Sequence, residues 1–486
     1  MQPGWEPKAG DVVVRRPRQA EIAPVQIHVE RRTVSARGPA SPMLLIYSFM
    51  GFVAIGTVLL LLPISNVGND FTPFVQAVFT ATSAVTVTGL VVVDTADGWS
   101  RFGQVVIMGL FFVGGLGFMT GAAFLLLIVG QRIGLQGQLV IREGVGAGQL
   151  GGLVSIVRNI VIVAIAIQGA GSVALFLHWF VFGSLWPGIS AQEAAYQSIY
   201  HGVSAFNNAG FDVLPDVTVG GSSLTGFGTD HLTLGIMLVL IVLGGLGYFV
   251  LRDIAIARRF SRYRLDSKLV VAGSIGLIVI GSVLFLVEGW QDKGTIGDLS
   301  VKRKVVKAVF ETAGARTAGF TTIDYGATTT GRSFAIEALM FIGGASASTA
   351  GGIKISTFMV IMLAIFANIK GRRYVSGFGR EVAADIVRRA MVVAAVAVLT
   401  LFAFISILAR IENDLPFRDI FLETVSAFGT VGLSTGITSE LGDGARIVIA
   451  SAMFIGRLGP LTLALLMAGS EKSQPYRLAE ERVRIG

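Results

Sequence analysis

Polar and apolar positions fall into long blocks along this chain, and the blocks recur. Residues 38–69, 102–131, 159–192, 232–251, 269–287 and 390–409 carry no Asp, Glu, Lys or Arg. About 20 apolar residues of α-helix cross a hydrocarbon core, and several of these stretches are long enough to do so. Their hydrophobicity is continuous rather than alternating, so the spans read as helices and not as barrel strands. Shorter, half-apolar segments lie between them and divide the chain into four quarters. Each quarter reads as a spanning helix, a short re-entrant helix and a second spanning helix: 42–64, 73–85 and 103–130; 155–183, 192–206 and 231–252; 266–289, 301–314 and 333–368; 387–412, 417–428 and 445–469. The pattern predicts an all-α integral membrane protein of four tandem helix–pore-loop–helix repeats (42–130, 155–252, 266–368, 387–469). Its eight transmembrane helices would surround a central pore with pseudo-four-fold symmetry. Residues 1–41 read as a flexible arm with no signal-peptide core, and 470–486 as a polar tail.

Each short helix ends in a similar loop. The four copies are Ala84-Val85-Thr86-Val87-Thr88-Gly89-Leu90, Ala205-Phe206-Asn207-Asn208-Ala209-Gly210-Phe211, Gly314-Ala315-Arg316-Thr317-Ala318-Gly319-Phe320 and Ala427-Phe428-Gly429-Thr430-Val431-Gly432-Leu433. Their glycines are 121, 109 and 113 residues apart. A repeat of this kind fixes architecture before anything else does. Four such loops from one polypeptide can surround one axis. A second repeat follows in the second helices: Gly114-Gly115-Leu116-Gly117, Gly244-Gly245-Leu246-Gly247, Gly343-Gly344-Ala345-Ser346 and Gly456-Arg457-Leu458-Gly459.

Composition agrees: 53% of residues are hydrophobic, 14% charged, and mean hydropathy is +0.71. The absence of cysteine from the sequence excludes disulfides and thiolate chemistry. A net charge of +8 would suggest nucleic acid were it not so unevenly placed. Arg15, Arg16, Arg18, Arg31, Arg32 and Arg37 precede the first span; Arg252, Arg258, Arg259, Arg262, Arg264 and Lys268 form a second cluster. Lys370, Arg372, Arg373, Arg380, Arg388 and Arg389 form a third, and the tail adds Lys472, Arg477, Arg482 and Arg484. Residues 66–100 and 184–230 have no Lys or Arg. By the positive-inside rule, both termini and the basic clusters are cytoplasmic. Lys293, Lys302, Arg303, Lys304 and Lys307 break this pattern on the expected outer side of the third quarter.

The loops suit a dehydrated monovalent cation. Rings of backbone carbonyls replace a potassium ion's water without a fixed charge, and they need unusual dihedrals that glycine adopts cheaply. The expected filter is Thr86, Val87, Thr88 and Gly89; Asn207, Asn208, Ala209 and Gly210; Arg316, Thr317, Ala318 and Gly319; Gly429, Thr430, Val431 and Gly432. Thr86, Thr88, Thr317 and Thr430 offer hydroxyls, while Asn207 and Asn208 brace from behind. The second glycine of Thr-Val-Gly-Tyr-Gly filters is replaced by Val91, Asp212, Thr321 and Ser434. Arg316 would repel the ion, so its side chain is expected to turn away and pair with Glu311 or Asp324. Below the filter, Gly343, Gly344, Ser346, Ser348, Thr349, Gly351 and Gly352 lie in a stretch too polar and glycine-rich for a helix in lipid. With Lys354 and Arg457 it is expected to form a flexible intramembrane gate. Charges within spans are costly and usually face a cavity.

The four loops, the Gly343-to-Lys354 segment and Gly456-Arg457-Leu458-Gly459-Pro460-Leu461-Thr462 together resemble the TrkH/KtrB/HKT superfamily of potassium transporters over residues of about 42–470. The polar arm, in place of two additional N-terminal spans, favours the KtrB type. The resemblance implies a bacterial cytoplasmic-membrane protein, a homodimer with one pore per subunit, and a cytoplasmic RCK-type, KtrA-like ring sensing ATP or ADP. It also implies potassium as cargo with sodium as a second cation, and no organic cofactor in this chain. The Ala345-Ser346-Ala347-Ser348-Thr349-Ala350 stretch departs from the usual Ser-Pro-Gly-Ser-Thr-Gly type.

Two rivals fit less well. A secondary transporter for another solute or cation predicts inverted repeats, whereas these quarters repeat in one orientation. An enzyme needs clustered acid–base or metal-binding groups, and His178, His201 and His231 stand apart in the sequence.

Overall fold

The computed structural model describes residues 41–117, 153–183, 189–214, 223–228, 230–292, 295–346 and 348–459. The arm (1–40), residues 118–130, Ala347, and everything from Pro460 through the tail lie outside the described residues. All that is described belongs to one unit, Ala40–Gly486.

The first quarter consists of α1 (Ser41–Leu61), the short α2 (Phe74–Thr86) and α3 (Arg101–Gly115). The second consists of α4 (Leu153–Phe176), α5 (Ala191–Asn207) and α6 (His231–Ala257). The third has α7 (Leu265–Gly289), α8 (Val301–Gly314) and then two helices, α9 (Thr330–Met340) and α10 (Ile355–Ile369). A small hairpin, β1 (Ser376–Gly377) with β2 (Arg380–Glu381), leads to the fourth: α11 (Ala384–Ile411), α12 (Phe417–Gly429) and α13 (Asp443–Leu458).

Among the described residues, four helices are long and apolar enough to cross a membrane: Ser155–Val181, His231–Ala257, Leu265–Gly289 and Ala384–Ile411. Their outer faces carry large apolar side chains, as on α11, where Leu399 and Phe402 are exposed. Such a surface suits lipid and would be a liability in water.

Polar N-caps start several helices. Ser100 accepts from Gly103 N–H, Ser190 from Glu193 N–H, and Asp230 from Leu232 and Thr233 N–H. In three quarters the second helix is interrupted at the third residue after the first repeat glycine. Gly117, Gly247 and Gly459 have φ of 79°, 73° and 84°, so α3 and α13 end there and α6 kinks. In the third quarter the interruption is wider. The span expected over 333–368 is divided between α9 and α10 by residues 341–354.

The helices pack cyclically. Each short helix lies on the first helix of its own quarter and on the second helix of the quarter before: α5 on α4 and α3, α8 on α7 and α6, α12 on α11 and α9. The cycle closes where α2, already on α1, packs against α13 from the far end of the chain. Cores rich in Val, Leu, Phe and Ala surround the short helices, with Phe79, Phe206, Phe310 and Phe428 buried among them.

Lys304 and Lys307, two of the five residues at odds with the charge rule, are buried rather than free, while Lys302 and Arg303 are exposed. Lys304 Nζ donates to the Trp290 carbonyl at 2.6 Å and sits over its ring, and Lys307 Nζ donates to the Thr322 carbonyl at 3.2 Å. They are spent on backbone, which removes them from the topological balance.

Candidate functional site

The cyclic packing brings the C-terminal ends of α2, α5, α8 and α12 to one place. Each runs into its glycine loop through a residue in the left-handed region: Val87 (φ 57°), Asn208 (57°), Thr317 (79°) and Thr430 (51°). Two residues on, Gly89, Gly210, Gly319 and Gly432 again have positive φ, of 91°, 71°, 70° and 91°. The first set is costly for β-branched residues, and such strain persists only where surroundings enforce it.

The four glycines touch in order around a ring. A Cβ on Gly89 would lie 3.0 Å from the Gly210 Cα, and one on Gly210 would lie 3.1 Å from the Gly319 Cα. A Cβ on Gly319 would lie 3.3 Å from the Gly432 Cα, and one on Gly432 would lie 3.2 Å from the Gly89 Cα. The carbonyls of Ala209, Ala318, Val431 and Thr88 stand beside the same four positions. Positive φ and close backbone favour a residue without a side chain at each, with outright clashes at Gly89, Gly319 and Gly432.

Serines fix three of these loops. Ser83 Oγ accepts from Gly89 N–H and Ser426 Oγ from Gly432 N–H, both at 3.1 Å, while Ser204 Oγ donates to the Phe211 carbonyl at 2.7 Å. All three precede their glycine by six residues, a regularity in the sequence that the shorter loop motif did not include. The threonines differ in what they have left to offer. Thr86 Oγ1 donates to the Thr82 carbonyl and contacts the Thr88 hydroxyl, both at 2.7 Å. Thr317 Oγ1 lies 3.3 Å from the Asn208 amide, and the buried Thr430 Oγ1 has no protein partner. Asn207 holds its own helix through the Val203 carbonyl at 2.8 Å.

Arg316 pairs with neither expected acid. It lines a small cavity with Asn208, Ile241, Ser274 and Gly344, and Nη2 donates to the Gly343 carbonyl at 3.2 Å. Glu311 is unavailable because both its oxygens are occupied by Thr321, Thr322 and Tyr325. Asp324 instead accepts from Gly326 N–H.

Residues 341–354 form a folded loop directly against these helix ends. Where composition suggests flexibility, backbone bonds hold the segment: Gly343 N to Ile353 O (2.9 Å), Ile355 N to Gly344 O (3.0 Å) and Ala345 N to Gly245 O (3.0 Å). Gly351 abuts the Thr430 side chain, and Gly343 lies near the Thr317 methyl. Ser346 and Ser356 hydroxyls are 3.1 Å apart, and Ser348 Oγ accepts from Ala350 N–H. Gly352 has φ 63°, where the chain turns back past Gly429. Lys354 does not reach outward; its ammonium donates to the Ala350 carbonyl. Arg457 crosses from the fourth quarter, donating through Nη1 to Thr349 O and through Nη2 to Gly114 O. The loop and its anchors thus touch all four quarters. His178, apart in the sequence, pairs with Asp230 at 2.8 Å away from this site.

The comparisons with known proteins fit this arrangement. A solved structure, the potassium transporter TrkH from Vibrio parahaemolyticus, superposes with a TM-score of 0.69 over 90% of this chain and 86% of its own, at 17% identity. That likeness speaks for the fold. The Ktr system potassium uptake protein B of Bacillus subtilis is 38% identical over 89% of this chain and 94% of its own length. Its namesake in Vibrio alginolyticus is 35% identical over 88% and 92%, and the potassium/sodium uptake protein NtpJ of Enterococcus hirae is 33% identical over 92% and 97%. The family model for TrkH, a cation transport protein, matches residues 43–476. From the glycine loops to the interrupted helix, this chain belongs to the TrkH family of cation transport proteins, membrane transporters rather than enzymes.

Proposed function

We propose that this chain is the potassium-translocating membrane subunit of a Ktr-type uptake system, with the ring of glycine loops as its selectivity filter. The closed succession of Gly89, Gly210, Gly319 and Gly432, each against the next loop's backbone, carries the reading. Such a ring gives a monovalent cation carbonyl oxygens in place of water, and without a fixed charge the ion can leave again. A second tight ring is not supplied, since Val91, Asp212, Thr321 and Ser434 occupy the position that would make one.

The loop at 341–354, with Lys354 and Arg457, acts as the barrier beneath the filter. Its two cations would oppose an ion leaving the filter, and its attachment to four quarters lets a small rearrangement open or close the path. An inside-negative membrane potential drives uptake, at about 2.3 kcal/mol per charge per 100 mV. The basic cytoplasmic clusters would receive an RCK-type ring that senses ATP or ADP, and two copies of the chain would pair, each with its own path. The membrane is the bacterial cytoplasmic membrane, with both termini inside. Sodium is a second cation of interest, since one relative's name pairs it with potassium.

Uptake of ⁸⁶Rb⁺ into liposomes containing only this chain tests the reading. Uptake that potassium competes far better than sodium is expected, and repeating it with and without sodium settles the second cation's part. Liposomes that take up no rubidium under an inside-negative potential would refute it.

A further inference from the structure

Two acids stand in the short helices with no exposure at all: Glu311 on α8 and Glu423 on α12, each 0% exposed. Burial of a carboxylate is expensive unless its oxygens are fully engaged, so what engages them shows what they hold. Glu311 Oε1 accepts from Thr322 N–H (2.6 Å) and Thr322 Oγ1 (2.7 Å). Its Oε2 accepts from Thr321 Oγ1 (2.9 Å) and Tyr325 Oη (3.1 Å). Glu423 Oε2 accepts from Ser434 Oγ at 2.8 Å, and Oε1 from Thr438 Oγ1.

Thr321 and Ser434 each lie two residues past a ring glycine, at the place where a symmetrical filter has its second glycine. Neither has positive φ. A glycine there could fold the outer limb back on its own dihedrals; a threonine or serine leaves that limb needing an external hold. On α8 the hold is doubled. Lys307, one turn before Glu311, donates to the Thr322 carbonyl while Glu311 takes the Thr322 N–H, so one helix face captures both backbone polar groups of that residue. The first and second quarters have other contacts at this place. Gln197 Nε2 donates to the Val213 carbonyl at 2.9 Å in the second, and Leu90 and Val92 are buried in apolar packing in the first.

Building on the filter reading above, we infer that Glu311 and Glu423 are positioning residues for ion discrimination. Their carboxylates clasp the outer limbs of the third and fourth loops and do the work of the missing second glycines. Neither acid touches the ion. They act through Thr321, Thr322 and Ser434, and the clasp makes the third and fourth quarters the stiff side of the ring.

The test is ⁸⁶Rb⁺ uptake by the full chain in liposomes, read as the ratio of the half-inhibiting concentrations of sodium and potassium. Glu311→Gln keeps the side chain's shape but loses the charge-assisted bonds, so the ratio should fall about tenfold, with a smaller fall for Glu423→Gln. Thr321→Val should reproduce the loss, and Thr321→Ser, which restores the hydroxyl, should return the ratio to that of the unmodified chain. This pair is decisive even if the Glu311 variant does not fold. A purely structural role would lower the amount of active protein and leave the ratio alone; an unchanged ratio in Glu311→Gln or in Thr321→Val therefore overturns the inference. Failure of the unmodified chain to take up rubidium would instead bring down the transport reading, and this inference with it.

Discussion

Arg457 Nη2 lies 2.5 Å from the Gly114 carbonyl, joining α13 to α3 across 343 residues of sequence. Nη1 of the same guanidinium reaches Thr349 in the interrupted third quarter. A planar fork can serve two carbonyls at once, whereas an ammonium is a single point of charge. Arg457→Ala should release the 341–354 loop and raise basal rubidium flux about tenfold, the equilibrium worth of one charged hydrogen bond. Arg457→Lys should fall between. Equal flux in all three proteins would remove Arg457 from the barrier.

The ring glycines should not be equally sensitive. At Gly432 an added Cβ meets the Thr88 carbonyl at a forbidden distance, while at Gly210 the nearest atom, the Ala318 carbonyl, is 3.0 Å away. Both also bear the cost of positive φ, roughly 1–2 kcal/mol for a residue with a side chain. Gly432→Ser should therefore lose more discrimination against sodium than Gly210→Ser, measured as the competition ratio. Unaltered selectivity in Gly432→Ser would contradict the place given to this ring.

Much of this geometry has a visible source in the sequence. Charge-free blocks mark the long helices, recurrent glycines mark the turns that meet, and the glycine density of 343–352 marks the break between α9 and α10. Other parts have none. Val87 and Thr430 occupy left-handed dihedrals that their types avoid, because the cyclic packing imposes them. Arg316 settles on a backbone carbonyl, which has no signature in any side chain, whereas the sequence displays only the nearby acids Glu311 and Asp324. The burial of Lys304 and Lys307 likewise depends on carbonyls presented by distant turns.

The loop itself should respond to shortening. Residues 345–350 carry the carbonyls of Thr349 and Ala350 that Arg457 and Lys354 hold, and the N–H of Ala345 that binds Gly245. Deleting them removes all three ties, and basal rubidium flux should rise above that of Arg457→Ala, where only one anchor is lost. A deletion whose flux matches the intact chain would argue against a barrier there.

Arg316→Gln separates the two roles of its side chain. A glutamine is too short to keep the bond to Gly343, and it leaves the cavity beside Asn208 and Ser274 partly unfilled. Because the guanidinium ties the third glycine loop to the barrier loop through one bond of 3.2 Å, longer than either bond made by Arg457, basal flux should rise about threefold, less than for Arg457→Ala. Flux and thermal stability both equal to those of the parent would show that this tie carries no load.

Asp230 gives the structure an acid-sensitive fastening. It caps α6 through Leu232 and Thr233 N–H, accepts from Thr233 Oγ1 at 2.7 Å, and meets His178 Nε2 at 2.8 Å. Partial burial pushes its carboxyl upward, but the bonds from Thr233 and His178 outweigh that and hold it below its ordinary value of 3.8. A folded-state value lower than the unfolded one means that the ionised group stabilises the fold above the unfolded value. That contribution disappears as pH falls through the folded one, so the sensitive window lies below 3.8. Replacing the cap by alanine should cost about 1 kcal/mol near neutrality, seen as a lower melting temperature in detergent. The gap between parent and Asp230→Ala should narrow as pH falls through that window. A gap constant from pH about 7 down to about 3 would mean that the carboxylate's charge plays no part in holding His178 to the start of α6.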